Sequence, residues 1–200
     1  FEQMELEWFC EPEASPLWFD FWVAERRNWW HSIGVSKSNL SLRVHDNDEL
    51  SHYSTACTDV EYRYPFSHGG FGELEGIAHR GDFDLKQHQY YSKQKLHYQD
   101  QASGKSYLPH VIEPSAGLTR AVLAVLCDAY HYDESRPSPE ILRLSPLLAP
   151  IKLAVFPLTN KNGQAEMAEN IFKYLRERYA AHFDGKQSIG KRYAKMDEIG

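Results

Sequence analysis

The sequence has few cysteines and no long hydrophobic run, and both absences narrow what the chain can be. Its three cysteines, Cys10, Cys57 and Cys127, are too few and too widely spaced for a disulfide framework or a zinc knuckle. They fit a reducing compartment, in which each is a small apolar filler. No stretch approaches the ~20 apolar residues that a membrane-spanning helix needs, so no membrane partner is expected.

Several motifs of catalytic chemistry are also missing. The sequence has no Gly-Lys-Ser/Thr phosphate loop, which excludes a P-loop ATPase, and no Gly-x-Ser-x-Gly nucleophile elbow. His79, His88 and His97 recur at intervals of nine, a spacing that fits neither one helix face nor a zinc motif. These absences direct attention to the acidic and basic residues instead.

Charge is ordinary in amount but uneven along the chain. The 200 residues are 42% hydrophobic and 25% charged, a globular balance that suits one large domain or one domain with part of a second. Residues 1–150 carry a net charge of −9, whereas residues 151–200 carry +3. A basic module on an acidic body is typical of a nucleic-acid contact, although a solvated helix face gives the same pattern.

Hydrophobic periodicity predicts the elements of the first part of the chain. Residues 1–9 alternate as a strand does, with Met4, Leu6 and Trp8 on one side and polar residues on the other. Further strands are predicted at 60–64, 71–78 and 110–114, and a polar surface excursion at 90–105. Two helices are predicted, at 17–33 with Gly34 as its stop, and at 118–129. Their predicted apolar sides are Leu17, Phe21, Trp22, Trp29, Trp30 and Ile33 in the first, and Leu118, Val122, Val125, Leu126 and Ala129 in the second.

Prolines in residues 135–150 mark a domain boundary. Beyond them, residues 152–158 form a nearly continuous apolar run, typical of a strand buried in a parallel sheet. A helix is predicted from about 164 to 182. The run and the helix together predict the start of a βαβ unit.

Acidic residues recur at alternate positions on two predicted strands. Glu5 and Glu7 form one pair and Glu73 and Glu75 another, and strand geometry places each pair on one face. Glu113 ends a third strand. Carboxylates aimed into one pocket would hold a small cation, an ammonium group or a metal, because a positive charge offsets their desolvation. The alternative is that these acids face solvent.

Two other residues point to a nucleotide. Arg120 lies in the first turn of the helix that follows Gly117, where a guanidinium can bind a phosphate, or can instead pair with a strand acid. Phe1 lies on the polar face of its strand. Its ring can stack on a flat ligand such as a purine, or can edge the core.

Five segments resemble glycyl-tRNA synthetase, a class II aminoacyl-tRNA synthetase, in its single-chain homodimeric form. Residues 1–7 resemble the closing strand of motif 2, and 72–85 resemble the strand of the glycine and ATP sites. Residues 110–120 resemble motif 3, and 148–158 with 190–200 resemble the anticodon-binding domain. The resemblance implies an α+β fold: a class II antiparallel sheet flanked by helices over residues 1–146, then the start of an α/β anticodon-binding domain over 147–200.

The resemblance also implies an activity. Enzymes of this family join glycine to ATP as glycyl-adenylate, release pyrophosphate, and transfer glycine to the 3′ end of tRNA(Gly), with Mg²⁺ accompanying ATP. The protein would be cytoplasmic and, at full length, a homodimer. Catalysis would rest on positioning and electrostatics, with no protein nucleophile.

Site residues follow from the same resemblance. Glu5, Glu73 and Glu113 would face the glycine ammonium, Phe1 would stack on adenine, and Arg120 would hold the γ-phosphate. Glu73 is also the candidate ligand of Mg²⁺. The glycine-binding set is Phe1, Glu2, Gln3, Met4, Glu5, Glu73, Glu113, Pro114, Ser115, Ala116 and Gly117, and the ATP-binding set is Phe1, Glu73, Leu74, Gly117, Leu118, Thr119 and Arg120.

The sequence departs from the family pattern in what it omits. Motif 1, the first strand and loop of motif 2, and the last strands of the anticodon-binding domain have no counterpart, so we expect the isolated 200 residues to be inactive. A rival interpretation is a synthetase-like accessory protein that binds nucleic acid without catalysis, which would have little reason to keep the pocket acids and Arg120. A carboxylate metallohydrolase is the other, and it needs metal ligands that converge.

Overall fold

A computed structural model describes residues 2–67 and 70–200. Contacts divide the chain into two compact units, Phe1–Ala124 and Val125–Gly200. This division lies upstream of the boundary predicted at residues 146 and 147, which stays a prediction. Among the described residues, none of the helices has the length and apolar character needed to cross a membrane.

The first unit is an antiparallel sheet with helices packed beside it, a mixed arrangement consistent with the α+β class. Short 3-10 helices lie at Pro12–Ala14 and Lys37–Asn39. The other elements, in chain order, are β1 (Gln3–Glu5), β2 (Trp8–Cys10), α1 (Ser15–Ser32), β3 (Leu40–Val44), β4 (Ala56–Tyr62), β5 (Gly72–Gly81), α2 (Phe83–Ser92), β6 (Tyr98–Gln99), β7 (Ser106–Tyr107), β8 (His110–Gly117) and α3 (Leu118–Ala129), whose last turn and a half lie in the second unit.

The sheet has the strand order β1-β8-β5-β4-β3, with β2 also paired to β8. The strands predicted at the start of the chain and around residues 60, 75 and 112 are confirmed as β1 with β2, β4, β5 and β8. Their apolar residues form the core between the sheet and α1, where Ile77 and Ile112 are completely buried. The predicted surface excursion is confirmed, because residues 90–105 are almost all exposed around the β6–β7 hairpin.

Helix α1 forms where it was predicted, but its predicted apolar side is wrong in part. Trp30 is fully buried, whereas Leu17 is 75% exposed and Phe21 is 47% exposed. The helix has aromatic residues on several of its sides, so hydrophobicity alone does not show which side packs against the sheet. The buried residues of the helix, Ser15 and Trp30, lie on the packed side. Gly34, at φ 113°, follows the end of the helix as predicted.

Helix α3 also forms as predicted, with a different buried stripe. Ala121, Ala124 and Ala129 are the buried residues, while Val122 is 51% exposed and Leu126 is 43% exposed. Small side chains let a helix approach its neighbours closely, so the alanines face the packed side and the large residues do not. Of the predicted stripe, Ala129 is buried, Val125 is half-buried, and Leu118 is exposed together with Val122 and Leu126.

The second unit contains the predicted βαβ arrangement. Its parallel pair, β11 (Leu153–Val155) and β12 (Ala181–Phe183), is joined by α4 (Gln164–Leu175). The strands β9 (Tyr130–Tyr132) and β10 (Glu140–Leu142) form an antiparallel hairpin. Two expectations were wrong. The helix α4 ends at Leu175 rather than near residue 182, because residues 181–183 form a strand that pairs with β11. The strand β11 is not buried, because its two-stranded sheet leaves Leu153 37% exposed. The last element of the unit is α5 (Ile189–Ile199).

Candidate functional site

Strand register brings carboxylates of the first strand onto β8. Glu5 of β1 lies opposite Ser115 of β8, and Trp8 of β2 lies opposite Ile112 of β8. The backbone N–H of Leu6 donates to the carbonyl of Pro114 at 3.0 Å, so the same register continues between the two strands. Glu7 therefore lies directly opposite Glu113. Opposed residues project to the same side of a sheet, and we call Glu5, Glu7, Glu113 and Ser115 the acidic face.

The next strand contributes small residues to this side of the sheet. Gly76 of β5 pairs with Ser115, and Ala78 pairs with Glu113. A hydrogen and a methyl group fill little of the volume above the sheet. These two residues therefore place no large side chain beside the carboxylates or the hydroxyl of Ser115.

Arg80 fixes the orientation of Glu113. Its Nη1 lies 2.9 Å from Oε1 and 2.8 Å from Oε2 of Glu113, and its Nε donates to Asp84 at 2.7 Å. Its guanidinium also lies 4.2 Å from the ring centre of Tyr53. The hydrogen bond to Asp84, with the charges of both carboxylates, raises the pKa of Arg80 above its ordinary value. Arg80 lies within the segment that resembles the glycine and ATP strand, but no role was predicted for it.

Glu7 is the second residue that the predicted site omitted. Partial desolvation, a hydrogen bond to Glu113 and repulsion from that carboxylate raise the pKa of Glu7 to about 7, with a smaller contribution from Glu5, even though the residue is exposed. Arg80 acts in the opposite direction but does not cancel these effects. Glu7 therefore keeps its proton to a higher pH than an ordinary glutamate does. Its alternation with Glu5 had predicted it as one of the pocket acids, although the glycine-binding set did not include it.

Ser115 is oriented by the first strand. Gln3 donates a hydrogen bond from Nε2 to the hydroxyl oxygen of Ser115 at 2.6 Å. The hydroxyl keeps its own hydrogen, so it can donate to an acceptor on the acidic face. The predicted residues Pro114 and Ala116 are buried beneath this surface, and Met4 pairs with Ala116.

Arg120 and Glu73 meet at the other end of β8. Nη1 of Arg120 donates to the backbone carbonyl of Glu73 at 3.1 Å and lies 3.5 Å from its carboxylate. Both side chains are about half exposed, so a phosphate can reach the guanidinium without burial of either group. The predicted alternative for Arg120, pairing with a strand acid, is the arrangement that the structure contains. Leu118 and Thr119 are exposed beside it, and the N–H of Leu118 donates to the carbonyl of Glu2.

Glu73 and Glu75 do not share one environment, so the prediction that they face one pocket is wrong. Glu75 is 2% exposed, and it accepts hydrogen bonds from Nε of Arg26 at 2.6 Å and from the indole of Trp30 at 2.5 Å. Val60 and Glu61 of β4 pair with Glu75 and Glu73, so a bulge falls between the two acids. Glu75 consequently belongs to the core beneath α1.

The remaining predicted residues differ in access. The side chain of Leu74 is 1% exposed, so only its backbone is available to a nucleotide. Gly117, the last residue of β8, is half-buried. Phe1 lies outside the described residues.

A metal could also be held on this side of the sheet by a trio that was not predicted, because Asp59 and Cys57 of β4 lie opposite Gly76 and Ala78. His45, Cys57 and Asp59 are the group of potential metal ligands found in the described part of the chain, and their ligand atoms lie within 4.8 Å of one another. Nε2 of His45 is 2.7 Å from Asp59, and burial raises the pKa of the Cys57 thiol to about 11. Arg43 lies 3.7 Å from Asp59 and supplies a positive charge there. The trio is therefore already satisfied without an ion.

This arrangement defines a class of site: an antiparallel sheet with a carboxylate-lined face, followed by a helix whose first turn presents an arginine. Such a site can bind a small cation next to an anionic phosphate.

The chain is 42% identical to the glycine–tRNA ligase of Rhodopirellula baltica, and 48% identical to those of Ruminiclostridium cellulolyticum and Acetivibrio thermocellus. Each comparison covers 100% of this chain and 43% of the relative. Over its whole length the chain is thus similar to glycine–tRNA ligases, and it spans less than half the length of these relatives. No protein-family model matches it.

Proposed function

We propose that the chain forms part of a glycine–tRNA ligase of class II, which activates glycine with ATP and transfers it to tRNA(Gly). The proposal is supported most by one combination. The chain resembles glycine–tRNA ligases over all of its length, and its register places Glu5 and Ser115 beside Glu113 on one polar face. A non-catalytic accessory protein has no need of that face.

The acidic face would bind the glycine ammonium group. Glu5 and Glu113 would accept hydrogen bonds from the ammonium group, and Ser115 would help to hold the small amino acid. An ammonium ion offsets the repulsion between these carboxylates, which gives the face a preference for a cationic ligand. Crowding by carboxylates and backbone close to this cation would exclude amino acids with side chains larger than hydrogen.

ATP would bind along the end of β8 and the start of α3. Phe1 would stack on adenine, the backbone of Glu73 and Leu74 would contact the nucleotide, and Arg120 would hold the γ-phosphate. The exposed carboxylate of Glu73 is an oxygen donor of the kind that Mg²⁺ prefers. Bound Mg²⁺ would neutralise charge on the phosphate oxygens.

Activation would need no nucleophile from the protein. The glycine carboxylate would attack the α-phosphorus of ATP in line, forming a C–O–P bond as the bond to pyrophosphate breaks. The residues described here would hold the ammonium end and the γ-phosphate end of the two reactants. Holding both reactants in this geometry contributes to the rate by proximity and by electrostatic stabilisation.

The second unit would serve tRNA recognition. Residues 147–200 would begin the anticodon-binding domain, and the net charge of +3 over residues 151–200 suits a phosphate backbone. The complete protein would be a homodimer and would act in the cytoplasm, where its tRNA is charged.

The test is ATP–pyrophosphate exchange by the complete gene product, with glycine, alanine and serine supplied separately. We expect exchange with glycine alone, and its loss in Glu113→Gln. Glu134→Gln, the same change at an exposed acid of the second unit, should retain it. A folded protein that gives no exchange with any of the three would contradict the proposal and favour the accessory protein.

A further inference from the structure

We propose that Glu7 is a positioning residue that shares one proton with Glu113 in the empty site and releases that proton when the glycine ammonium binds. The inference rests on the proposed function and adds to it a coupling between substrate and proton. No covalent bond other than this O–H is made or broken, and the proton passes to solvent.

The backbone forces the two carboxyl groups together. Residues on either side of Glu7 fix the register, since Leu6 bonds to Pro114 and Trp8 lies opposite Ile112. Glu7 and Glu113 are consequently a directly opposed cross-strand pair. Like charges in that position repel, so the pair needs a proton or a cation between its members.

The groups that face Glu7 come from each neighbouring strand. Glu113 belongs to β8, Glu5 to β1 and Arg80 to β5, and these are the charges that act on the Glu7 carboxyl. Among these groups in the described chain, Arg80 carries the positive charge, and it forms ion pairs with both Glu113 and Asp84. Carboxylates thus outnumber positive charges around the empty site, and a proton on Glu7 reduces the excess.

A bound ammonium group changes this balance. A second positive charge beside Glu113 stabilises ionised carboxylates, so it lowers the pKa of Glu7 from about 7 and expels the proton. Below pH 7, glycine binding must remove the proton from Glu7, and this cost weakens the affinity. Above pH 7, the Glu7 carboxyl is already ionised and the cost disappears. Glycine affinity should therefore rise about tenfold from pH 6 to pH 8 and then level off.

Calorimetry of glycine binding to the complete gene product tests this coupling. Titrations in buffers of different ionisation enthalpy report the protons released per glycine. We expect about half a proton at pH 7, and a larger fraction at pH 6. Glu7→Gln should bind glycine with little release and lose the rise in affinity. Glu13→Gln, the same change at an exposed acid outside the site, should behave as the unchanged protein does.

A second measurement needs no glycine. Infrared difference spectra between pH 6 and pH 8 should contain a carboxylic-acid band that Glu7→Gln removes. Glu7→Asp, one methylene shorter, should shift its titration towards the ordinary range for a carboxyl group, which covers the case in which Glu7→Gln does not fold. Glycine binding without proton release, or equal release by Glu7→Gln, would overturn the coupling alone. Failure of the unchanged protein to bind glycine would overturn the proposed function as well.

Discussion

Arg80 holds Glu113 through both of its carboxylate oxygens, at 2.9 and 2.8 Å, from the strand next to it. The two side chains are 20% and 14% exposed, so solvent screens this pair only in part. Because the same guanidinium is anchored by Asp84, the orientation of Glu113 is set before any ligand arrives. The acidic face is in this sense preorganised for a cation.

The first prediction concerns Arg80. Arg80→Lys keeps the charge but loses the planar guanidinium that contacts both oxygens of Glu113 through Nη1 while its Nε is held by Asp84. In the complete gene product we expect KM for glycine to rise about tenfold, the equivalent of ~1.4 kcal/mol, with a smaller change in KM for ATP. Pyrophosphate exchange at varied glycine and ATP measures both. Arg63→Lys, at an exposed position that stacks on Phe71, is the matched control. Equal effects on the two KM values would contradict a role centred on Glu113.

The second prediction separates Glu75 from Glu73. Glu75→Ala leaves the Arg26 guanidinium and the Trp30 N–H without their buried acceptor, and we expect it to lower the free energy of unfolding by about 3–5 kcal/mol. Glu73→Ala removes an exposed carboxylate and should change that free energy by less than about 0.5 kcal/mol. Urea denaturation followed by tryptophan fluorescence measures both. Similar losses of stability from the two substitutions would contradict the burial of Glu75 and the exposure of Glu73.

The third prediction is a pH dependence of stability through His79. Burial, with the charge of His110, lowers the pKa of His79 below its usual 6.5, and its ring nitrogens contact the hydroxyls of Ser15 and Thr55. The unfolded chain binds the proton more tightly than the folded one. This contribution to stability is therefore complete above pH 6.5 and is lost as pH falls towards the lower pKa of the folded state.

Denaturation midpoints measured between pH 7 and pH 5 give this slope. His79→Gln should flatten it, even though its stability at pH 7 is lower. His88→Gln, at an exposed histidine, should leave the slope unchanged. An unaltered slope in His79→Gln would show that another group is responsible.

The fourth prediction concerns the His45, Cys57 and Asp59 trio. Asp59 already accepts from His45 and lies beside Arg43, so a metal would have to displace existing partners. We expect dialysis against EDTA to leave the melting temperature unchanged, and purified protein to hold no stoichiometric zinc at this trio. Loss of stability with EDTA, restored by zinc, would contradict this and would revive the metallohydrolase interpretation. Cys57→Ser, which should then abolish the restoration, identifies the trio as the site.

Local patterns in the sequence predicted which elements form. The alternation of residues 1–9, the strand before Gly117 and the helix after it all appear where they were expected. Such periodicity is a property of neighbouring residues, so it can be read without tertiary information. The division of residues 3–10 into two short strands was not visible, because both pieces keep one register on β8.

The side on which a residue lies was harder to predict. Glu75 was expected to face a pocket with Glu73, but a bulge and two partners on α1 bury it. Leucines on α3 were expected to be buried, but alanines are. Register and packing partners decide these cases, and both depend on residues distant in sequence. Arg80 was missed for the same reason, since only the fold brings it to Glu113, whereas Glu7 was among the predicted pocket acids and was left out of the glycine-binding set.

The central claim is that the acidic face binds the ammonium group of glycine. A crystal structure of the complete gene product with a non-hydrolysable glycyl-adenylate analogue tests it most directly. We predict the amino group within hydrogen-bonding distance of Glu5 and Glu113, the Ser115 hydroxyl beside it, and the adenine stacked on Phe1. An analogue bound with its amino group away from both carboxylates would contradict the account.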